Sequence, residues 1–435
     1  MNAKGNEAGG RISGGNEGAW KRNAALFVGS QTISLFGSSL VQYAVTWYIT
    51  LQTQSGMLMT ISILCGVLPA FVLSPFAGVW ADRYDRKALI VLADALIAVA
   101  TLALAWLFWL GFEDVWLLFL LLAVRAIGTG IHTPAVGAAL PQLVPEEALA
   151  RVNGINGTVQ SLVNLIAPMA SGALLATVSL ETIFLVDVAT AAAAIGLLTL
   201  FVDLPKHARA AQANSTSYVK DLLEGFAYVR RHAFVRGVLL FLAVTSFLAA
   251  PIAFLTPLQV TRSFGAEVWR LTAIEIAFSA GMIAGGAAMA AWGGFRNRAH
   301  TFVSACAALG ACAIALGIVP AFWTYLAMMA LAGVALPLFN TPIIVLLQEK
   351  VESDYMGRVF GVVGMITTSM MPLGMLAFGP LSDRVDIEWL LVATGGGLML
   401  LCALTIPYKA FIEGGRPSAV ERDERTRPAP PAMHQ

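Results

Sequence analysis

Polar residues interrupt this chain so sparsely that apolar stretches of membrane-crossing length follow one another along nearly all of it. A helix rises about 1.5 Å per residue, so crossing a hydrocarbon core of about 30 Å takes roughly 20 mostly apolar residues. Twelve stretches meet that requirement, at about 24–51, 56–80, 88–111, 115–138, 148–176, 180–202, 234–260, 268–293, 299–319, 321–347, 358–383 and 387–409. Backbone amides in a bilayer must bond within their own segment, so such stretches are predicted to be helices. The predicted fold class is therefore an all-α membrane protein of twelve transmembrane helices. Composition excludes the soluble alternative: 58% of the residues are hydrophobic and 12% charged, roughly half the charged share of a soluble domain.

The charges between the stretches alternate. Of the 27 Lys and Arg, only Arg262, Arg270 and Arg384 fall on one side and Arg125 inside the fourth span; all the others fall on the opposite side. Under the positive-inside rule that side is the cytoplasm, and both termini belong to it in a multi-pass protein of the cell (inner) membrane. The formal net charge of +1 hides this segregation and gives no footing for a nucleic-acid partner. Cys65, Cys306, Cys312 and Cys402 all lie in spans, without metal-ligand spacing, and read as small packing residues. Residues 1–20 are rich in Gly and Asn and show no removable signal peptide, so the first span is expected to direct insertion.

The expected organisation is a cytoplasmic tail (1–22), a first six-helix bundle (23–202), a cytoplasmic central loop (203–233), a second six-helix bundle (234–410) and a disordered tail (411–435). Within the central loop, apolar residues at 218, 219, 222, 223, 226 and 229 recur at helical spacing, with Lys220, Arg230 and Arg231 toward the polar side. This predicts an amphipathic helix on the inner leaflet, in contact with membrane lipids; a plain linker helix is the alternative. The halves also repeat each other. H-T-P-A (His132 to Ala135) and N-T-P-I (Asn340 to Ile343) place their Thr-Pro pairs 208 positions apart, and Arg151 of V-P-E-E-A-L-A-R-V-N-G lies 207 before Arg358 of V-E-S-D-Y-M-G-R-V-F-G. Two copies of one bundle, pseudo-symmetric about the membrane normal, are the expected result, with a binding site between them.

The loop between the second and third spans reads G-V-W-A-D-R-Y-D-R-K, Gly78 to Lys87. It resembles the signature G-x-x-x-D-R-x-x-R-K of the major facilitator superfamily at this loop. The resemblance implies that Gly78, Asp82, Arg83, Arg86 and Lys87 form a conformational latch for the outward-open state, and Asp94, two turns further on, is grouped with these charges. Physically, Gly78 would permit close helix approach, Asp82 would accept from a neighbouring helix N-terminus, and the bases would pair with acids or headgroups. The equivalent loop of the second half, G-G-F-R-N-R (Gly293 to Arg298), lacks the carboxylate. Arg125 to Glu147, Glu275 to Gly286 and Leu347 to Phe360 are similar to the macrolide efflux branch of the same superfamily. Helix 5 of proton-driven drug exporters of the twelve-helix type shows Gly-Pro followed by glycines, where this chain has Ala167-Pro168.

Three charges are embedded in the spans. Each costs at least about 2.5–3.5 kcal/mol at a helix centre, so each needs a reason. Arg125 stays charged; it would either hold down a carboxylate's pKa or complete a structural ion pair, and the resemblance associates an Arg on this helix with proton coupling. Glu275 in the eighth span and Asp187 in the sixth are candidate proton carriers, since burial favours the protonated carboxyl. The resemblance places the eighth helix at the interface and the sixth at the periphery, which favours Glu275 as carrier and Asp187 as a tie between helices. Uncharged polar residues form stripes at helical spacing: Gln31, Ser34, Ser38 and Gln42 on the first span, and Asn153, Asn156, Gln160 and Asn164 on the fifth. Either they bond between helices or, with Tyr43, Trp47, Phe247, Phe254 and Asn340, they line a substrate cavity.

No phosphate-binding loop, zinc-protease motif or nucleophile elbow is present, so neither enzyme chemistry nor a cofactor is expected. The resemblance implies a secondary active transporter, monomeric, that exports a small amphiphilic compound of macrolide-like kind in exchange for protons by alternating access. A siderophore or lysophospholipid carrier of the same fold is the first alternative, and a non-transporting membrane receptor or binding protein the second.

Overall fold

The computed structural model describes residues 17–204 and 218–407, apart from the side chains of 17–19, 75, 82 and 218–222. The expectations for the outer tails and for 205–217 therefore fall outside the described residues. Everything described is helix or short connection: α1 (Glu17–Thr53), α2 (Gly56–Arg83), α3 (Arg86–Trp109), α4 (Val115–Leu143), α5 (Glu146–Thr177), α6 (Leu180–Phe201), α7 (Tyr218–Arg231), α8 (Ala233–Leu248), α9 (Ala250–Phe254), α10 (Thr256–Ser263), α11 (Val268–Trp292), α12 (Arg298–Ile318), α13 (Phe322–Lys350), α14 (Met356–Leu381) and α15 (Ile387–Thr405). Local sequence sets the ends. The Asp85 carboxylate accepts from the Ala88 N–H at the start of α3, and Asn297 does the same for Ala299 at the start of α12. Gly293 closes α11 in the left-handed conformation, φ 73°, which a side chain would strain.

Eleven of the helices among the described residues are long and apolar enough to cross a membrane. The stretch expected as one helix over 234–260 is instead three pieces, α8, α9 and α10. Pro251 and Pro257 stand in the first turns of α9 and α10, where their missing N–H groups cannot continue the preceding ladder. The repeat read from the Thr-Pro pairs appears as matched elements: α4 and α13 each have 29 residues and two internal prolines, Pro134 and Pro141 in one, Pro337 and Pro342 in the other.

The chain divides into two compact units. The first comprises residues 1–45 and 65–213. In it α3 packs on α4 and α6, and Phe27, Ile90, Ala135, Ala139, Leu140 and Leu198 fill one core. The second comprises residues 46–64 and 214–435. There α12 packs on α13 and α15, α11 on α13, and α14 on α7 and α8, around a core that includes Phe241, Phe302, Phe339, Leu346 and Leu347. The α11–α13 contact depends on missing side chains: a Cβ on Gly281, Gly285 or Gly333 would strike the facing backbone carbonyl of Ala330, Val334 or Phe278. This is the small-residue contact by which spanning helices gain van der Waals area where no hydrophobic force separates lipid from leucine.

The central-loop helix α7 bends by 111° from α8. Its inner side docks on the start of α14 and the turn before it: Glu224 pairs with Arg358 at 3.1 Å, Tyr228 stacks on Tyr355 with ring centroids 4.7 Å apart, and Gly225 is pressed against the Arg358 backbone. Its outer side exposes Leu223, Phe226, Arg230 and Arg231.

Candidate functional site

In the first unit the two embedded charges of α4 and α6 meet. Arg125 Nη1 donates to Asp187 Oδ2 at 2.5 Å and to Thr101 Oγ1 at 2.9 Å, while Nη2 donates to the Ser38 carbonyl at 3.0 Å. The side chains are 6% and 1% exposed, so the pair is desolvated. α1 can come this close because position 37 is glycine; a Cβ there would strike Thr190 Oγ1 and lie 3.1 Å from Asp187 Oδ1. The arrangement fixes four helices, α1, α3, α4 and α6, through one guanidinium whose planar fork suits several acceptors.

The loop between α2 and α3 divides by residue. Arg86 bonds the Ala81 carbonyl at 3.0 Å and the Ala138 carbonyl at 2.7 Å. Lys87 Nζ reaches the Thr199 and Val202 carbonyls at 3.0 and 2.8 Å, placing a cation on the C-terminal end of α6. Arg83 is exposed, and the Asp82 side chain lies outside the described ones. Gly78 makes no close helix approach here, because a Cβ built on it meets nothing within 4 Å. Asp94 also parts from the loop charges with which the sequence grouped it. It sits well inside α3, 4% exposed, accepting from Ser34 Oγ at 3.0 Å, with His132 Nε2 3.4 Å away. Asp94 is more than a turn beyond Arg86 and Lys87, and the buried helix face, not the loop, receives it.

The expected cavity residues also separate. Trp47 and Gln31 are packed inside, 1% and 8% exposed. Ser38, Tyr43, Phe247 and Phe254 are half-buried, Phe247 with its ring centroid 5.4 Å from that of Phe378. Gln42 and Asn340 are exposed. On α5, Asn153, Gln160 and Asn164 are exposed and Asn156 half-buried, giving a run of amides on one side of a membrane-length helix. Amides on such a helix are poorly matched to lipid and suit water or a polar ligand. In the second unit Glu275 on α11 is half-buried, with no hydrogen bond or ion pair among the described residues. The two embedded carboxylates weighed as proton carriers, Asp187 and Glu275, thus differ in kind: one is tied and one is open.

Sequence reasoning missed a network in the second unit. Asp383, just past α14, accepts from Gly56 N (2.7 Å), Met57 N (2.9 Å) and Ser55 Oγ (2.8 Å) at the start of α2. Arg262, ending α10, donates to Asp383 at 2.9 Å, to the Ser382 carbonyl at 2.6 Å and to the Gln54 carbonyl at 2.5 Å. Gln54 itself holds φ 46°, the left-handed region that non-glycine residues rarely adopt. Burial alone would raise the Asp383 pKa, but the Met57 and Gly56 N–H groups, the Ser55 hydroxyl and Arg262 outweigh it and hold the carboxyl below its ordinary value. Gly56 and Gly379 allow the underlying contact, since a Cβ on either would strike the other helix. The partial clue was Arg262, one of three bases on its side of the membrane.

The family profile described as the Major Facilitator Superfamily matches residues 27–375. The chain is 30% identical over 391 residues to "Macrolide efflux protein A" of Streptococcus pyogenes, covering 89% of this chain and 96% of that one. It is 31% identical over 323 residues to the protein of that name from Enterococcus faecalis, covering 74% and 99%. Among solved structures, a bacterial homologue of the human lysosomal transporter Spinster superposes with a TM-score of 0.65 at 14% identity, covering 93% of this chain and 99% of that one. The chain belongs to the Major Facilitator Superfamily. It is a multi-pass membrane transporter of small substrates, not an enzyme.

Proposed function

We propose that this transporter exports amphiphilic, macrolide-like compounds in exchange for protons, by alternating access, as a monomer in the cell membrane with both termini in the cytoplasm. The observation that carries the reading is the match to macrolide efflux proteins over 89% of the chain. The amide face of α5 supports it from the geometry. A macrolide-like ligand presents scattered hydroxyls and ethers on an apolar ring, and amides, which donate and accept, suit that surface better than fixed charges do.

Glu275 is the proton carrier in this reading, supported by its place on a spanning helix without a basic partner among the described residues. Asp187 is supported as a structural tie by its bond to Arg125. Arg86 and Lys87, with Gly78, Asp82 and Arg83, serve as the latch of the α2–α3 loop. The test is accumulation of a labelled fourteen-membered macrolide in cells with and without the protein, before and after a protonophore. Lower accumulation that rises when the gradient collapses is the expected result. Equal accumulation in all four arms would reject the substrate and redirect the search to siderophores and lysophospholipids.

A further inference from the structure

The H-T-P-A motif at the centre of α4 has no part in the reading above, and its histidine faces the one embedded carboxylate of the first unit that has no basic partner of permanent charge. Asp94 is 4% exposed, and its Oδ1 accepts from Ser34 Oγ at 3.0 Å. Among the described residues its Oδ2 has no hydrogen-bond partner, and neither has His132 Nε2, which stands 3.4 Å from Oδ1 without forming a bond. Close helix approach creates the meeting. A Cβ on Gly128 would run into Ile97 at 2.5 Å and approach the Ala93 carbonyl at 3.3 Å, so α4 crosses α3 directly beside Asp94. Pro134, two residues past the histidine, removes a backbone N–H from α4 and leaves that turn easier to bend.

Charge counting shows what is missing. The neighbouring elements present Ser34 from α1 and, seven residues along α4, Arg125 with its partner Asp187 on α6. Seven residues is about 10 Å of helix. Arg125 and Asp187 cancel each other. An ionised Asp94 beside a neutral imidazole leaves one uncompensated negative charge in an apolar interior, with an oxygen that no donor reaches, and such a charge is costly. One added proton removes that charge whichever atom holds it, because a carboxylic acid beside an imidazole and a carboxylate beside an imidazolium have the same proton count. In the step an O–H bond of a hydronium ion breaks as one O–H or N–H bond forms at the site, so one proton is taken up from water, and release is the reverse.

We propose that Asp94 and His132, steadied by Ser34, form a proton-binding site inside the first unit, separate from Glu275. The proposal rests on the transport reading for its use and on nothing but the geometry for its existence. In the repeat, position 301 or 302 stands where Asp94 would, a threonine and a phenylalanine, and Asn340 stands for His132, so the second unit has no copy of it.

The purified full chain in lipid nanodiscs, without substrate, is titrated while infrared difference spectra follow the carbonyl stretch of protonated carboxyls. The wild type is expected to show a carboxyl band that Asp94→Asn removes, with proton uptake falling by one per chain. His132→Gln and Ser34→Ala are expected to keep the band and move its midpoint, a change that a purely structural contact would not produce. A proton uptake unaltered by Asp94→Asn, or midpoints unmoved in both other variants, would overturn the site. Should Asp94→Asn not fold, the two midpoint variants decide. Because titration needs no substrate, a titrating site in a protein that exports no macrolide would sink only the substrate reading. Gradient-driven export with no titrating Asp94 would sink only this site.

Discussion

Arg125 is tolerable in the membrane interior because Asp187 stands 2.5 Å away and two further oxygens accept from it. Removing one partner leaves a buried charge unpaired, a loss of about 3–5 kcal/mol in comparable buried pairs, whereas exchanging both for apolar residues is often neutral. Asp187→Ala is therefore expected to lower the melting temperature in detergent sharply, and Arg125→Met with Asp187→Leu to recover most of it. A double variant as unstable as the single one would count against the pair as the source of the loss. Asp383 makes the opposite kind of claim, one about pH. Its carboxyl is held below the ordinary carboxylate value in the folded protein, so its contribution is complete above about pH 4 and is lost as pH falls through the folded value. Asp383→Asn is expected to flatten the acid side of the stability profile, read as melting temperature between pH 3 and 7. At this scale the embedded charges were legible because each is rare in its span. The Asp383 network was not, because its partners lie 121 and 327 positions away and no spacing rule connects them.

Helix α5 concentrates the functional question at the level of an element. Its amides are on the outside of the packing, so Asn156→Leu, Gln160→Leu and Asn164→Leu together are expected to leave expression and melting temperature within about 0.5 kcal/mol per site of the wild type. They are expected to reduce macrolide export several-fold, measured as steady-state accumulation; unchanged export would take α5 out of the substrate path. The stripe itself could be read from its three- and four-residue steps, but whether it bonded other helices or stood open needed the packing. Hydropathy located twelve spans, eleven of which are single long helices among the described residues, because length and apolarity decide them. It missed the breaks of α8, α9 and α10 because the prolines there interrupt the backbone ladder without changing hydropathy. The inner side of α7 was likewise hidden, because no spacing rule joins Glu224 and Tyr228 to Arg358 and Tyr355, which they meet.

Across the whole molecule the duplicated scaffold has been loaded unequally. Position 187 carries an aspartate, while its counterpart Thr394 only bonds the carbonyls of its own helix. Glu275 falls, at the 207-residue offset of the repeat, where the first half carries Leu68. The repeat was visible in the sequence because the Thr-Pro pairs and the Arg-Val-x-Gly runs keep their spacing; the uneven charges are visible only after the copies are laid side by side. Such asymmetry separates roles: Glu275→Gln is expected to abolish gradient-driven export while retaining part of the substrate binding. Export at the wild-type rate would remove Glu275 from the mechanism. The clasp at Asp383 carries a consequence for biosynthesis. The turn between α1 and α2 is among the first made, yet the carboxylate that binds Ser55, Gly56 and Met57 is added 327 residues after Gly56. At ribosomal speeds of about 5–20 residues per second, that is a wait of roughly 15–65 s. The first hairpin to leave the ribosome is thus the last to be fastened, and a chain stopped short of Asp383 carries an open turn for quality-control proteases to find.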